Sequence, residues 1–159
     1  MIKFLKMHGI GNDFIIFDGR NEISFNSSIA KEIANRRTGI GCDQIIIIQN
    51  SSKGCDIKLL FFNSDGTEAE ACGNGTRCVS NFIMHEKNQD NLKIETHSGL
   101  LDAWIDKSDN LTVVDMGIPK FLWNEIPLAK NVNNENVYLG DLSPNNAFCL
   151  SMGNPHAVI

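Results

Sequence analysis

Asn63-Ser-Asp-Gly-Thr-Glu-Ala-Glu-Ala-Cys72-Gly-Asn-Gly-Thr-Arg-Cys78 carries more of the fold and of the chemistry than any other stretch of the chain. Before it an apolar run, Ile57 to Phe62, is closed by the turn residues Ser64-Asp65-Gly66, and Cys72 stands directly before Gly73-Asn74-Gly75. After it Val79, Phe82 and Ile83 recur at helical spacing. The reading is a strand, a turn, and a helix from near Asn74 to about Glu86 whose first turn emerges from the glycines. At a helix start the backbone N–H groups lack partners and the dipole is positive, a setting that favours a thiolate and cradles an anion. A thiol with a pKa of about 8.5 is only a few per cent ionised at neutral pH, and lowering it to about 7 makes roughly half of it thiolate. Cys72 is therefore a candidate base or nucleophile, with a small buried hydrophobe at a tight turn as the plainer alternative. Cys78 falls inside the helix and reads as core filler.

On either side, short apolar runs read as strands: Ile2 to Met7, Phe14 to Phe17, Gln44 to Ile48, Leu92 to Thr96, Leu100 to Ile105 and Leu111 to Met116. Turn residues separate them at Gly9 to Asp13, Ser98-Gly99, Ser108-Asp109-Asn110 and Gly117. A second helix is expected from about Ser28 to Arg36, capped by Ser27 or Ser28, with Ile29, Ile33 and Ala34 on one face. The last three runs are joined by links too short for crossover helices and form a meander. The class is α+β, antiparallel in flavour. After Gly117 the composition changes: Phe121 to Ser143 is rich in Asn, with Pro127 inside it and Pro144 just beyond. A boundary placed there divides the chain into 1–117 and 118–159. A strand pattern returns from Ala147, around Gly153-Asn154-Pro155, and the apolar ending Ala157-Val158-Ile159 reads as an interrupted lobe with apolar surface left uncovered.

A chain of 159 residues and 17.6 kDa has the length of one ordinary domain, and 42% hydrophobic with 21% charged residues describes a globular protein with a real core. The net charge of −5 and pI near 5.3 argue against a nucleic-acid partner, which needs clustered Lys and Arg. Lys31 with Arg36-Arg37 comes nearest and reads as a solvated helix face. No stretch approaches the roughly 20 apolar residues of a membrane span, and the opening Met1 to His8 alternates charge with hydrophobe, unlike a signal peptide. The five cysteines, Cys42, Cys55, Cys72, Cys78 and Cys149, show no zinc or redox-pair spacing, which points to free thiols in a reducing compartment and to the cytoplasm. The pairs Gly9-Ile-Gly11, Gly39-Ile-Gly41 and Gly73-Asn-Gly75 meet neither the dinucleotide nor the phosphate-loop pattern, and the four histidines lack metal spacing. No cofactor and no metal are expected. His156, in a turn with Gly153-Asn154-Pro155, is the histidine able to point into a cleft.

Four segments in order, His8-Gly-Ile-Gly-Asn-Asp-Phe14, Arg36-Arg-Thr-Gly-Ile-Gly-Cys-Asp-Gln44, Asn63 to Cys78 and Met152-Gly-Asn-Pro-His156, resemble diaminopimelate epimerase. The resemblance implies a pyridoxal-independent isomerase that interconverts LL- and meso-diaminopimelate on the route to lysine and peptidoglycan. It also implies two similar lobes, each with mixed or antiparallel strands wrapped round a central helix, and an active site in the cleft between them. Carried over by position, Cys72 would remove or return the α-proton, Gly73 and Asn74 would bind the α-carboxylate through backbone N–H groups, and Asn12, Gln44, Asn63 and Asn154 would hold the polar ends of the substrate. His156 would help set the protonation of the thiols. Without pyridoxal, the carbanion-like transition state must be stabilised by donors aimed at the carboxylate, and inversion needs a base on one face and an acid on the other.

The family's second catalytic cysteine opens a second helix in the second lobe, with a glutamate and an arginine that grip the substrate. No remaining cysteine here sits in such a setting: Cys42 and Cys55 precede the Cys72 helix, and Cys149 lies in an expected strand. The expectation is one complete lobe plus the start of a second, with residues 118–159 disordered, poorly packed or paired with another molecule, and a chain that does not epimerise alone. The partner expected is a small molecule, with a homodimer as the family habit. A proline or hydroxyproline racemase relative, a thiol hydrolase using Cys72 and His156, and a binding remnant without catalysis are the competing readings; the carboxamides at 12, 44, 63 and 154 favour a diamino-diacid.

Overall fold

The computed structural model describes residues 2–21, 23–142 and 145–159. Among the expectations above, those on Met1, Ser143 and Pro144 lie outside the described residues. The chain divides into two compact units, Met1–Asp115 and Met116–Ile159.

In the first unit the strands β1 (Phe4–Gly9), β2 (Asn12–Asp18), β3 (Gln44–Gln49), β4 (Ile57–Asn63), β6 (Asn91–Thr96), β7 (Gly99–Ile105) and β8 (Thr112–Asp115) follow one another across a sheet in that spatial order. The two-residue strand β5 (Glu68–Ala69) pairs beside β4. Two helices accompany them, α1 (Ser27–Ala34) and α2 (Gly73–Lys87). The class is α+β, as the sequence indicates, and the meander β6-β7-β8 is antiparallel throughout. The antiparallel flavour is incomplete, however: β2 pairs with β3, and β4 with β6, in parallel. These are the pairs whose connections carry the helices, α1 after β2 and α2 after β4, and a helical crossover returns the chain to run in the same sense.

Helix α2 packs against β1 and β8, the two ends of the sheet, and against β2, β6 and β7 between them, so the sheet curls around it. Consistent with that wrapping, Gly75, Thr76, Cys78, Val79, Ser80, Ile83 and Met84 are all buried, more of the helix surface than a single apolar stripe would cover. Helix α1 lies on the other face of β3 and β4. Ile15, Phe17, Ile45, Ile47 and Phe62 form a cluster with its Ala30 and Ala34, while Phe14, Ile46 and Phe61 face Gly75 of α2. Burial on both faces explains why Ile45-Ile46-Ile47-Ile48 is a continuous apolar run. By contrast β7, covered on one side, alternates between buried Leu101 and Ala103 and exposed Leu100, Asp102 and Trp104.

The boundaries of α1 correct the sequence reading. Its cap is Asn26, whose side chain accepts from the Ile29 N–H at 3.0 Å, because asparagine reaches the third N–H as well as serine does. The helix ends at Ala34, so Arg36 is not on a solvated helix face. Asn35 leaves the helical region and its side chain caps the following turn by accepting from the Arg37 and Thr38 N–H groups. Strand β2 also begins inside the predicted turn, at Asn12, because the hairpin needs only Ile10 and Gly11, both at positive φ.

The second unit holds a short 3-10 turn, Gly140–Leu142, and the hairpin β9 (Phe148–Ser151) and β10 (Pro155–Val158). Ile126, Ala147 and Cys149 are its buried cluster, supported by Leu128, Val137 and Leu139. Bridges from Lys120 to Ser151 and from Val137 to Ala147 tie the intervening chain to the hairpin. Ile118, Leu122, Tyr138 and Ile159 are exposed.

Candidate active site

Cys72 is the N-cap of α2. Its backbone is extended, its carbonyl accepts from Thr76 N–H at 2.8 Å, and its sulfur accepts from Gly75 N–H at 3.4 Å. The thiol in turn donates to Asn12 Oδ1 at 3.7 Å. Asn12 comes from the first residue of β2, so the β1–β2 hairpin delivers a carboxamide to the start of α2. Gly9 makes that approach possible: a Cβ there would lie 3.2 Å from the Asn74 Cβ and 3.3 Å from its carbonyl oxygen. Burial pushes the Cys72 thiol up, and the Gly75 and Asn74 N–H groups pull it down by less. The helix start therefore does not make Cys72 a thiolate here, against the expectation from its position: a half-buried sulfur loses more hydration than the amides restore. Cys78 is buried in the helix as expected.

Gln44 opens β3 and Asn63 closes β4, and the two are directly opposite in that antiparallel pair. In the parallel pair β2–β3, Gln44 lies across from Phe14, two residues beyond Asn12. All three carboxamides thus stand at one end of three neighbouring strands. Gln44 Nε2 donates to Asn63 Oδ1 at 2.9 Å, Asn63 Nδ2 donates to Thr67 Oγ1 at 3.1 Å, and the Thr67 hydroxyl donates to Asp65 Oδ1 at 2.6 Å. A carboxylate only accepts, so the chain runs in one direction and leaves Gln44 Oε1 as a buried acceptor with no partner among the described residues. Such an atom suits an incoming ammonium or N–H donor.

Sequence reasoning missed the ion cluster at this end of the sheet. Asp43 lies beside Gln44, and Asp13 beside Asn12. Arg36 Nη2 reaches Asp13 Oδ1 at 2.6 Å and Asp43 Oδ1 at 2.8 Å, and Lys6 Nζ reaches Asp13 Oδ2 at 2.8 Å. The Arg36 guanidinium, with help from Lys6, holds the Asp13 carboxyl well below the usual carboxylate range. The two acidic residues also exchange backbone bonds, Asp13 N–H to Asp43 Oδ2 at 3.0 Å and Asp43 N–H to Asp13 Oδ1 at 2.9 Å. Their adjacency to Asn12 and Gln44 was the available signal. Among the described residues no three His, Cys, Asp or Glu side chains converge as a metal site.

In the second unit Asn154 lies in the β9–β10 hairpin loop. His156 is not in that turn but on β10, where it is exposed, with a ring nitrogen 3.0 Å from Asn154 Oδ1. The turn closes earlier because Met152 N–H bonds the Asn154 carbonyl at 3.1 Å and Gly153 supplies the positive φ. Cys149 is buried on β9, in a strand as expected.

Residues 4–122 match the family model for diaminopimelate epimerase. The chain belongs to the diaminopimelate epimerase family. Among curated relatives of that name, the protein of Zymomonas mobilis subsp. mobilis is 45% identical over 157 residues, which are 98% of this chain and 56% of the relative. That of Rhodospirillum centenum is 39% identical over 158 residues, 98% of this chain and 54% of the relative. The chain thus spans about half the length of the curated relatives it matches. Among solved structures, a hydroxyproline epimerase from Agrobacterium vitis superposes on 98% of this chain and 50% of its own, with a TM-score of 0.68 at 12% identity. A methylitaconate-delta-isomerase superposes on 69% of this chain and 35% of its own, with a TM-score of 0.55 at 19% identity. At those identities the likeness is one of fold alone.

Proposed function

We propose that the chain supplies one of the two acid–base groups of a pyridoxal-independent epimerase that converts LL- to meso-diaminopimelate. The observation that carries this reading is the Cys72 thiol at the start of α2, backed by the Gly75 N–H and facing Asn12, with the Gln44–Asn63 pair at the same end of the sheet. Burial pushes the Cys72 thiol up, which favours its protonated form at neutral pH. It is thereby suited to give that proton to the substrate's α-carbon on one face after a base on the other face has taken the original one, and the resulting thiolate serves as the base in the reverse direction. The Gly73 and Asn74 N–H groups would stabilise the charge that develops on the α-carboxylate. The unpartnered Gln44 oxygen and the carboxamides of Asn12, Asn63 and Asn154 would hold ammonium and carboxylate groups, which suits a substrate polar at both ends better than a proline ring. His156 is assigned an auxiliary role toward the thiols.

Residues 1–117 are read as one lobe and 118–159 as the opening of a second, in keeping with a chain that spans about half the length of its curated relatives. A cytoplasmic enzyme that acts on a small molecule and pairs as a homodimer is the accompanying proposal. Two measurements test the reading. LL-Diaminopimelate, and not proline, should protect Cys72 from iodoacetamide; equal protection by both, or by neither, would sink the substrate assignment. In deuterium oxide the 159-residue chain alone should leave the optical rotation of LL-diaminopimelate unchanged, and stereoinversion at the rate of a two-cysteine enzyme would overturn the one-cysteine proposal.

A further inference from the structure

Asn12 Nδ2 lies 3.1 Å from Asp43 Oδ2, and Asn12 Oδ1 is the atom that faces the Cys72 sulfur. An asparagine carboxamide can be turned by half a rotation, exchanging its oxygen and its NH2 with almost no change in shape. What distinguishes the two states here is Asp43. An ionised carboxylate has no proton to give, so only the NH2 of Asn12 can meet it, and the oxygen is left for the thiol. Asp43 is itself held from three sides: Arg36 Nη2 binds its Oδ1 at 2.8 Å, the Asp13 N–H binds its Oδ2 at 3.0 Å, and its own N–H binds the Asp13 carboxylate at 2.9 Å. Asp43 is thus fixed in place without touching Cys72.

We propose that Asp43 is a positioning residue of this site: its carboxylate sets the orientation of the Asn12 carboxamide so that an oxygen acceptor, and not an NH2 donor, faces the Cys72 thiol. The consequence is chemical. An oxygen beside the sulfur accepts the S–H and favours the protonated form, whereas an NH2 there would donate to sulfur and favour the thiolate. Asp43 therefore biases Cys72 toward holding a proton. The meaning of that bias for turnover rests on Cys72 being the acid–base group, but its test is a titration of the thiol and requires no turnover. The ionisable groups around the relay are Lys6 and Asp13 from β1 and β2, Arg36 and Asp43 from the segment between α1 and β3, and Cys78 on α2, whose thiol senses the charge of Cys72.

The experiment measures the rate of iodoacetamide alkylation at Cys72 against pH in the full 159-residue chain, read from the mass of the peptide that carries it. In the unsubstituted protein the midpoint should lie above the ordinary thiol value of about 8.5. Asn12→Ala removes the acceptor and should lower the midpoint by about half a unit to one unit. Asp43→Ala frees the carboxamide to turn and should lower it by a similar amount, and the double variant should show no further shift. Cys42 and Cys78 should stay protected in all three, whereas a general loosening of the fold would expose them together with Cys72. Asp43→Asn matches the native residue in shape but cannot accept from both Arg36 and Asn12. It should shift the midpoint in the same direction, and it carries the test if Asp43→Ala does not fold. A midpoint that moves in Asn12→Ala but stays in place in the Asp43 variants, or additive shifts in the double variant, would overturn the proposal.

Discussion

Asp13 shows how a residue on a hairpin can steady a site it does not enter. Its carboxylate receives Arg36, Lys6 and the Asp43 N–H, and it binds protons less readily in the folded protein than in the unfolded chain. Such a group stabilises the fold wherever the unfolded carboxyl is ionised, above about pH 4, and that contribution is lost as pH falls toward the lower folded-state value. Arg36→Ala removes the main cause of the shift. Its loss of stability relative to the native protein should therefore be full near neutrality and shrink steadily below about pH 4. Urea unfolding at several pH values measures this, and a loss that stays constant down to acid pH would contradict it. Because Arg36 is largely exposed, the effect at any pH is expected to be modest.

Among the elements, α2 decides most. It carries Cys72 at its start and fills the inside of the curled sheet, so its depth in that sheet sets where the thiol stands. Gly75 governs the depth: a Cβ on it would come within 2.7 Å of Ile46 Cδ1 and 3.4 Å of Phe14 and Phe61. Alanine favours a helix over glycine by about 1 kcal/mol, but overpacking a closed core costs typically 1–3 kcal/mol. Ile46 is fully buried, so its Cδ1 would have to turn within the core and not out into solvent. Gly75→Ala should therefore destabilise the protein by about 1 kcal/mol net, read from thermal or urea unfolding. An unchanged or raised stability would mean that α2 can shift outward without loss.

At the scale of the whole chain the two units differ in what holds them. The first has α2 inside its sheet and a double-faced core in which Phe14, Ile15, Ile45, Ile46, Ile57, Leu59 and Ile83 have essentially no exposure. The second relies on Ile126, Ala147 and Cys149 and on one hairpin. Local opening is easiest where few apolar groups are buried. Amide hydrogen exchange should accordingly be slowest in β3, β4 and α2 and markedly faster throughout residues 116–159, and equal protection of β9 and β3 would refute this ranking.

Strands and helices were legible in the sequence wherever local chemistry sufficed. The Ile45–Ile48 run, the meander turns and the glycines after Cys72 each restrict their own backbone, and the motif order carried the family. What local chemistry could not supply was every quantity that depends on partners distant in sequence. The parallel pairing of β2 with β3 follows from a helical crossover, and the Arg36 ion cluster from a hairpin and a loop folded onto one another. Cys72 is pushed opposite to what a helix start suggests, because burial of the sulfur outweighs the Gly75 and Asn74 amides that favour its ionised form. A residue's intrinsic preferences travel with the sequence, but its hydration and its hydrogen-bond partners exist only once the chain has closed around it.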